Sequence, residues 1–492
     1  MTVSPPRLAS LVDLPDSVQR PRYDPADHGA GIVHIGLGAF HKSHQAVYTD
    51  DAIAAAGGDW RITGVSLRSS DAATALTPQN GLFTVIARDA DATEARVIGS
   101  LAAAYCLVTD RDAVLAALVS PATRIVSITV TEKAYGIDRA TGGVDPTHPA
   151  IAADLENPRH PVGVAGLLVH AIAARRAAGA PPLTVLCCDN LPENGPMLRG
   201  LVLDFARRTA PDLVGHIADD IGFPATMVDR ITPAPGCYTL ALAARMTGHS
   251  DLAAVETERF RQWVIEDDFR SGRPDWAAGG AIFTDDMRPY ETMKLRMLNG
   301  AHSLIAYAGF LSGHAHVRDA MRDPALVVLV RRHLAAAAAT LPPLEGVDFG
   351  TYAEDLVQRF ANPHLAHETY QIAMDGTEKL PQRILAPAAD ALRRGQPLEP
   401  FAFATAAWMR YALGRRDDGT TYDLRDPRQD ALAAALAGRD TASEIAGAFL
   451  GFGTLFPENL RRSSAWTTAV QDRLDTMLRH GMTQAVATEA GP

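Results

Sequence analysis

Apolar residues in the first half of the chain come in short runs, each closed by glycine or by a polar cluster. GIVHI (31–35) is such a run, and GLGAFHKSHQAVYTDDAIAAAG comes next, which predicts a strand, a glycine turn and a helix. WRITGVSL (60–67) predicts a second strand. LFTVIARD (82–89) and ARVIGSL (95–101) alternate like the arms of a hairpin. RDAVLAALVS (111–120) has helical spacing, and RIVSITVT (124–131) is a β-branched strand ending at Glu132 and Lys133. A helix over 162–179 leads to LTVLCC (183–188), a buried strand ending at Asp189 and Asn190. Strands alternating with helices imply a parallel sheet covered on both faces.

After about residue 285 the pattern changes. LNGAHSLIAYAGFLSG, ALVVLVRRHLAAAAATL, FAFATAAWMRYALG and DALAAALAG have helical spacing, and strand-like runs are scarce. The expected architecture is α/β, with a parallel-sheet N-terminal domain over 1–285 and a mostly α-helical C-terminal domain over 286–492. The boundary falls near 285–292. Residues 1–30, rich in Pro and Asp, read as an irregular lead-in.

Composition narrows the function. The net charge of −11 and the lack of a basic stretch argue against nucleic acid or an anionic membrane as partner. No apolar run has the length of a membrane span, and the N-terminus lacks a signal-peptide core. Four cysteines without a C-x-x-C pair fit a reducing compartment, so a cytoplasmic protein without a cysteine-held metal is expected. Only four of the 46 basic residues are lysine: Lys42, Lys133, Lys294 and Lys379. Lysine can lose its proton in a suitable site and arginine cannot, so each lysine is a candidate for chemistry.

Ile35, Gly36, Leu37, Gly38, Ala39 and Phe40 form a candidate cofactor-binding turn. Glycines after a strand let the backbone approach a pyrophosphate at a helix N-terminus. The third glycine of the full fingerprint is replaced by His41. After the second strand, Asp71 can accept from both ribose hydroxyls of NAD, while Arg68 and the neutral Ser70 leave room for some NADP tolerance.

The densest cluster is Glu291-Thr292-Met293-Lys294-Leu295-Arg296-Met297-Leu298-Asn299-Gly300-Ala301-His302. On one regular helix, Lys294, Asn299 and His302 would fall at about 0°, 140° and 80° and share one side. An amine, an amide and an imidazole there suit oxidation of a secondary alcohol: a base for the hydroxyl proton and donors for the developing alkoxide. An ordinary amphipathic helix has the same spacing.

Asn190 sits at the carboxyl end of a buried strand, where open α/β sheets place ligands, and N-x-x-x-N-G is also good turn chemistry. Asn190 and Asn299 are two of only seven asparagines, and two amides can form an oxyanion pocket. Asp229 and Arg230, in MVDRITP, suit hydroxyl recognition or a plain ion pair. Glu132, in Thr131-Glu132-Lys133, closes another strand and with Asn190 is a candidate cofactor contact. Lys379 lies in the polar segment DGTEKLPQR and can reach a substrate.

GLGAFHKSHQ, TEKAYG, CCDNLPENG, MVDRITP, MKLRMLNGAHS and DGTEKLPQR, in this order, resemble the polyol-specific long-chain dehydrogenases. This is the family of mannitol 2-dehydrogenase and fructuronate reductase (mannonate oxidoreductase). The resemblance runs from about Tyr23 to Phe456. It implies a Rossmann-type N-terminal domain with a largely helical C-terminal domain, and a metal-free, NAD-dependent oxidoreductase with Lys294 as general base. It also implies that Asn190 and Asn299 hold the reacting oxygen, His302 positions substrate and Glu291 lies on the proton path. Asp229 and Lys379 become substrate contacts and Asp71 the ribose binder. Ala134 replaces the glycine usual after T-E-K. Gln371, where some mannitol 2-dehydrogenases have Arg, leans with KLRMLNG and KLPQR toward the fructuronate reductase pattern. Arg296 occurs in polyol-oxidising relatives as well. The expected partner is a small polyol, ketose or sugar acid, with mannitol/fructose and mannonate/fructuronate both open. A zinc-dependent dehydrogenase and a non-catalytic NAD-binding sensor are the competing readings.

Overall fold

The computed structural model describes residues 5–138, 141–344, 346–453 and 455–491. It divides into two compact units, Met1–Arg288 and Pro289–Pro492.

The first unit is built on five parallel strands: β1 (Ala30–Ile35), β2 (Arg61–Ser66), β3 (Leu101–Cys106), β4 (Ile125–Ile128) and β5 (Thr184–Cys187). Their order across the sheet is β3-β2-β1-β4-β5, the nucleotide-binding half of a doubly wound fold. Alternate side chains feed two cores. Val33, Ile35, Val126, Ile128, Val185 and Cys187 enter one. Ile32, Ile62, Leu101, Ile125, Leu186 and Cys188 enter the other. Burial on both faces explains the unbroken apolar runs, and it puts the adjacent cysteines on opposite sides of the sheet. Because these strands are parallel, their carboxyl ends share one edge of the sheet.

Two smaller sheets complete this unit. One has four strands and contains the hairpin Phe83–Arg88 with Thr93–Ile98. The expected strand over 95–101 is corrected here: it ends at Ile98, and Leu101 starts β3 in the main sheet. Gly99 and Ser100 make the break, with the Gly99 N–H donating to buried Asp50 and the Ser100 hydroxyl to Ala46 O. The other sheet holds β6 (Thr226–Asp229), β7 (Gln262–Glu266) and β8 (Ile282–Thr284), in the order β8-β7-β6. The helix after the glycine turn is also in two pieces, Ala39–Ser43 and Gln45–Ala56. They break at His44, whose ring packs against Phe40, Tyr48 and Trp263.

Among its described residues the second unit is helical, the last strand of the chain being β8. Helix Gly300–Leu311 is buried along its whole length, and Glu399–Tyr411 is buried from Phe401 onward. Both are rich in alanine, which lets apolar all-round helices pack at short range. The start of Gly300–Leu311 departs from the expected regular helix: Arg288–Lys294 passes into a π-helical turn, Leu295–Asn299, before α geometry resumes. A second π turn, Pro381–Leu385, comes after helix Gly376–Leu380. Pro381 offers no N–H to the preceding turn and its ring crowds it, so a widened turn relieves both. The two π turns pack against each other. Gly300 makes this possible, since a Cβ there would lie 2.8 Å from His333 Nε2 and 2.9 Å from the Arg383 carbonyl.

Candidate active site

In the first unit, the chain leaves β1 through Gly36 at φ +100°, where a Cβ would sit 1.8 Å from Thr129 O. Only glycine fits there. The Gly36 N–H donates to Val65 O at 2.7 Å, which ties the turn to β2. Gly38 is different. It is extended and exposed, and the nearest neighbour of a Cβ would be 3.8 Å away. The protein itself does not require glycine at 38, and the open space at the start of helix Ala39–Ser43 suits the close approach of a pyrophosphate. Leu37 is buried, Ile35 ends β1, and Ala39 and Phe40 begin the helix. In place of a third glycine, the His41 ring stacks on His34 of β1 with centroids 3.4 Å apart. Burial, then the neighbouring His34, holds His41 well below its ordinary pKa, so the pair is neutral packing. Asp71 opens helix Asp71–Leu76 just beyond β2 and is exposed.

Beyond β4 and β5 lie Glu132 and Asn190, both exposed. Two residues not singled out from the sequence hold these loops. Asp189 accepts from the Val130 N–H at 3.0 Å and the Tyr135 hydroxyl at 2.5 Å. Burial pushes its pKa up to about 6 against those two hydrogen bonds. The Asn194 amide donates to Asp189 O and Thr226 O and accepts from the Thr226 N–H at 2.9 Å. It fastens β6, whose last residue is the buried Asp229, to the Asn190 loop. The signal for Asn194 was the N-x-x-x-N spacing, which read as turn chemistry. Arg230 is also buried; its guanidinium donates to Ser43 O and Glu258 O and braces the chain beyond β6.

In the second unit, Lys294, Asn299 and His302 are all buried. The π turn adds a residue between Lys294 and the other two, rotating Asn299 and His302 by about 100° relative to a straight helix. The angles then become about 0°, 40° and −20°, a tighter alignment than the regular helix would give. Glu291, half-buried, lies one turn before Lys294. The His302 ring packs against Phe360 at 4.5 Å and edge-on to His367 at 5.5 Å between centroids. His367 is lowered by burial, with Glu368 opposing and Lys379 adding to the shift. Lys379 Nζ donates to Met374 O at 2.6 Å and lies 3.5 Å from Asp375. Gln371 is exposed on the short helix Thr369–Ala373.

The remaining lysines divide by environment. Lys42 Nζ donates to Ala253 O at 2.6 Å, and burial lowers its pKa to about 8. Lys133 is exposed. Among the described residues, no group of three or more His, Cys, Asp or Glu side chains is arranged to hold a metal ion, and no helix is long and apolar enough to cross a membrane.

The strand order and the glycine turn define a Rossmann-type dinucleotide-binding fold, joined to a helical unit. Comparison with known proteins narrows the class. Residues 30–278 match the mannitol dehydrogenase Rossmann domain and residues 286–478 the mannitol dehydrogenase C-terminal domain. The chain is 39% identical to the D-mannonate oxidoreductase of Escherichia coli (strain K12), over 98% of this chain and 100% of that protein. It is 40% identical to the mannitol 2-dehydrogenase of Cereibacter sphaeroides, over 85% of this chain and 88% of that protein. Among solved structures, the ternary complex of Pseudomonas fluorescens mannitol 2-dehydrogenase with NAD and D-mannitol is 36% identical, covers 98% of each chain and superposes with a TM-score of 0.80. The chain belongs to the mannitol dehydrogenase family of oxidoreductases.

Proposed function

We propose that the protein is an NAD-dependent, metal-independent dehydrogenase that interconverts a secondary alcohol and a ketone on a polyol or sugar acid. The observation that carries this reading is the π turn that lines up Lys294, Asn299 and His302 on a buried helix. Bound nicotinamide supplies hydride transfer; the chain supplies everything around it. Gly36 lets the chain turn sharply out of β1, Gly38 leaves the backbone open for the pyrophosphate, and Asp71 accepts from the adenosine ribose. Glu132 and Asn190, at the carboxyl ends of their strands, are further cofactor contacts.

Lys294 takes the hydroxyl proton in the oxidative direction and returns it in reduction, with Glu291 one turn away as its proton relay. Asn299 donates its amide N–H to the reacting oxygen as negative charge grows there, the role Asn190 shares in this reading. The imidazole of His302, oriented by Phe360 and His367, holds a neighbouring substrate hydroxyl. Asp229, Lys379 and Gln371 contact the remaining hydroxyls, and Arg230 keeps the chain beside Asp229 in place. The substrate pairs are D-mannitol with D-fructose and D-mannonate with D-fructuronate, matching the names of the two relatives.

The test is NADH oxidation with D-fructose and with D-fructuronate, with and without EDTA, for wild type and Lys294→Ala. Loss of a general base is expected to lower kcat by roughly 10²–10⁴-fold, with NADH affinity kept and EDTA without effect. Turnover that survives in Lys294→Ala would remove the lysine from its role. Loss of turnover to EDTA would favour a metal-dependent reaction instead.

A further inference from the structure

The sequence offers Arg230, Arg296 and Lys379 as cations able to meet a substrate carboxylate. The fold engages each of them elsewhere. Arg230 donates to the backbone carbonyls of Ser43 and Glu258. Arg296 forms an ion pair with Asp390 at 2.8 Å and donates to the Thr340 hydroxyl at 2.9 Å. Lys379 Nζ donates to Met374 O at 2.6 Å, and its charge is matched by the Asp375 carboxylate 3.5 Å away.

Arg383, on the second π turn, is in a different state. Its one side-chain hydrogen bond to a described residue is a long one, 3.4 Å from Nη1 to Ser303 Oγ. Among the described residues no carboxylate lies within ion-pair distance of it, and burial lowers its pKa. Besides Tyr307, the acid whose charge acts on it is Asp375, which pairs with Lys379. A guanidinium has five donors in a planar fork, and on this half-buried side chain most of them are left to water. Such a fork is suited to exchange that water for a planar anion held in a bidentate pair.

The position of Arg383 says which anion. Ser303 comes directly after His302, and its hydroxyl donates to Asn299 O at 3.0 Å. Gly300 lets the Arg383 backbone lie against the turn that carries Asn299. The guanidinium therefore stands one hydroxyl away from the residue whose amide is assigned to the reacting oxygen. We propose that Arg383 is a specificity-determining residue that recognises the carboxylate of the substrate, and that the preferred substrates are sugar acids rather than neutral polyols. This rests on the reading of Lys294, Asn299 and His302 given above.

The experiment compares kcat/KM for D-fructuronate and D-fructose in wild type, Arg383→Gln and Arg383→Lys, each checked for NADH binding and thermal unfolding. Wild type is expected to favour fructuronate. In Arg383→Gln the ratio of the two kcat/KM values should fall by roughly 30- to 1,000-fold, mainly through KM for fructuronate. Arg383→Lys, which keeps the charge and loses the fork, should fall in between. A wild type that reduces fructose at least as well as fructuronate would overturn the proposal. So would an Arg383→Gln protein that binds NADH and slows on both sugars equally.

A second measurement needs neither turnover nor a substitution: the thermal protection of wild type by D-mannonate, less that by D-mannitol, with NAD present. A larger shift with mannonate supports carboxylate recognition even if Arg383→Gln does not fold, and equal shifts overturn it. A mannonate-specific, Arg383-dependent shift without turnover on either sugar would count against the Lys294 reading and leave Arg383 standing.

Discussion

A few single residues set the electrostatics around the loops beyond the main sheet. Asp189 is the clearest. Its carboxyl is pushed up to about 6 from an ordinary 3.8 because burial disfavours the charged form more than Tyr135 and Val130 favour it. As pH rises, the unfolded chain releases this proton near its ordinary value, while the fold retains it to about 6. The stability contributed by Asp189 is thus fully present below the unfolded value and lost as pH rises through the folded one. Asp189→Asn has no such titration. Between pH 4 and about 6.5, the Tm of wild type is expected to decline relative to that of Asp189→Asn, read by thermal unfolding at closely spaced pH values. A constant offset between the two proteins across that range would show that the carboxyl is not raised.

At the scale of elements, the two π turns set the alignment on which the proposed roles of Lys294, Asn299 and His302 rest. Each inserts a residue into a helix right after or near a lysine, and each closes against the other. Their contact leaves no room at Gly300, where added carbon would meet both His333 and the Arg383 backbone. Backbone cannot swing aside as a flexible side chain can. Gly300→Ala is therefore expected to destabilise the protein by about 1–3 kcal/mol, the usual range for overpacking, despite alanine's better helix propensity. It should also lower kcat, because the parted π turns no longer hold Asn299 in line with Lys294. Denaturant unfolding and steady-state kinetics on the same preparation check both. A stabilised, fully active Gly300→Ala would mean that the turn relaxes freely.

For the whole molecule, the division into Met1–Arg288 and Pro289–Pro492 has a thermodynamic consequence. The first unit has its own cores on the two faces of the parallel sheet, and the second has its own buried helices. Multi-domain chains commonly depart from a single two-state transition. Calorimetry is expected to resolve two components, with NADH raising the one that belongs to residues 1–288. A cofactor at 100 times its Kd stabilises the unit that binds it by about 2.7 kcal/mol. Equal shifts of both components, or one component that NADH leaves unmoved, would contradict this assignment.

Much of this was legible in the chain because it depends on local pattern. The runs at 31–35, 60–67, 124–131 and 183–188 are largely apolar because both faces of a parallel sheet are covered, so β1, β2, β4 and β5 could be placed without coordinates. The glycine at 36 and the change to helical spacing after 285 were equally local. The ordered motifs carried the family and the candidate residues Lys294, Asn299, His302, Asn190 and Asp229. The break at Gly99–Ser100 was not legible, since its partners Asp50 and Ala46 come from a distant helix. Nor was the π turn, because 291–302 has the composition of a regular helix, and the widening depends on how Gly300 meets the Arg383 backbone. The roles of Arg230, Arg296 and Arg383 also waited on the fold. Forty-two of the residues are arginine, and sequence cannot distinguish a guanidinium already matched by carbonyls or an acid from one that is not. The sequence by itself determined the main strands and helices and the candidate residues they carry, because periodicity and motif act over a few residues; only the tertiary structure decided where elements break or widen and which charges are matched, because those partners lie far apart along the chain.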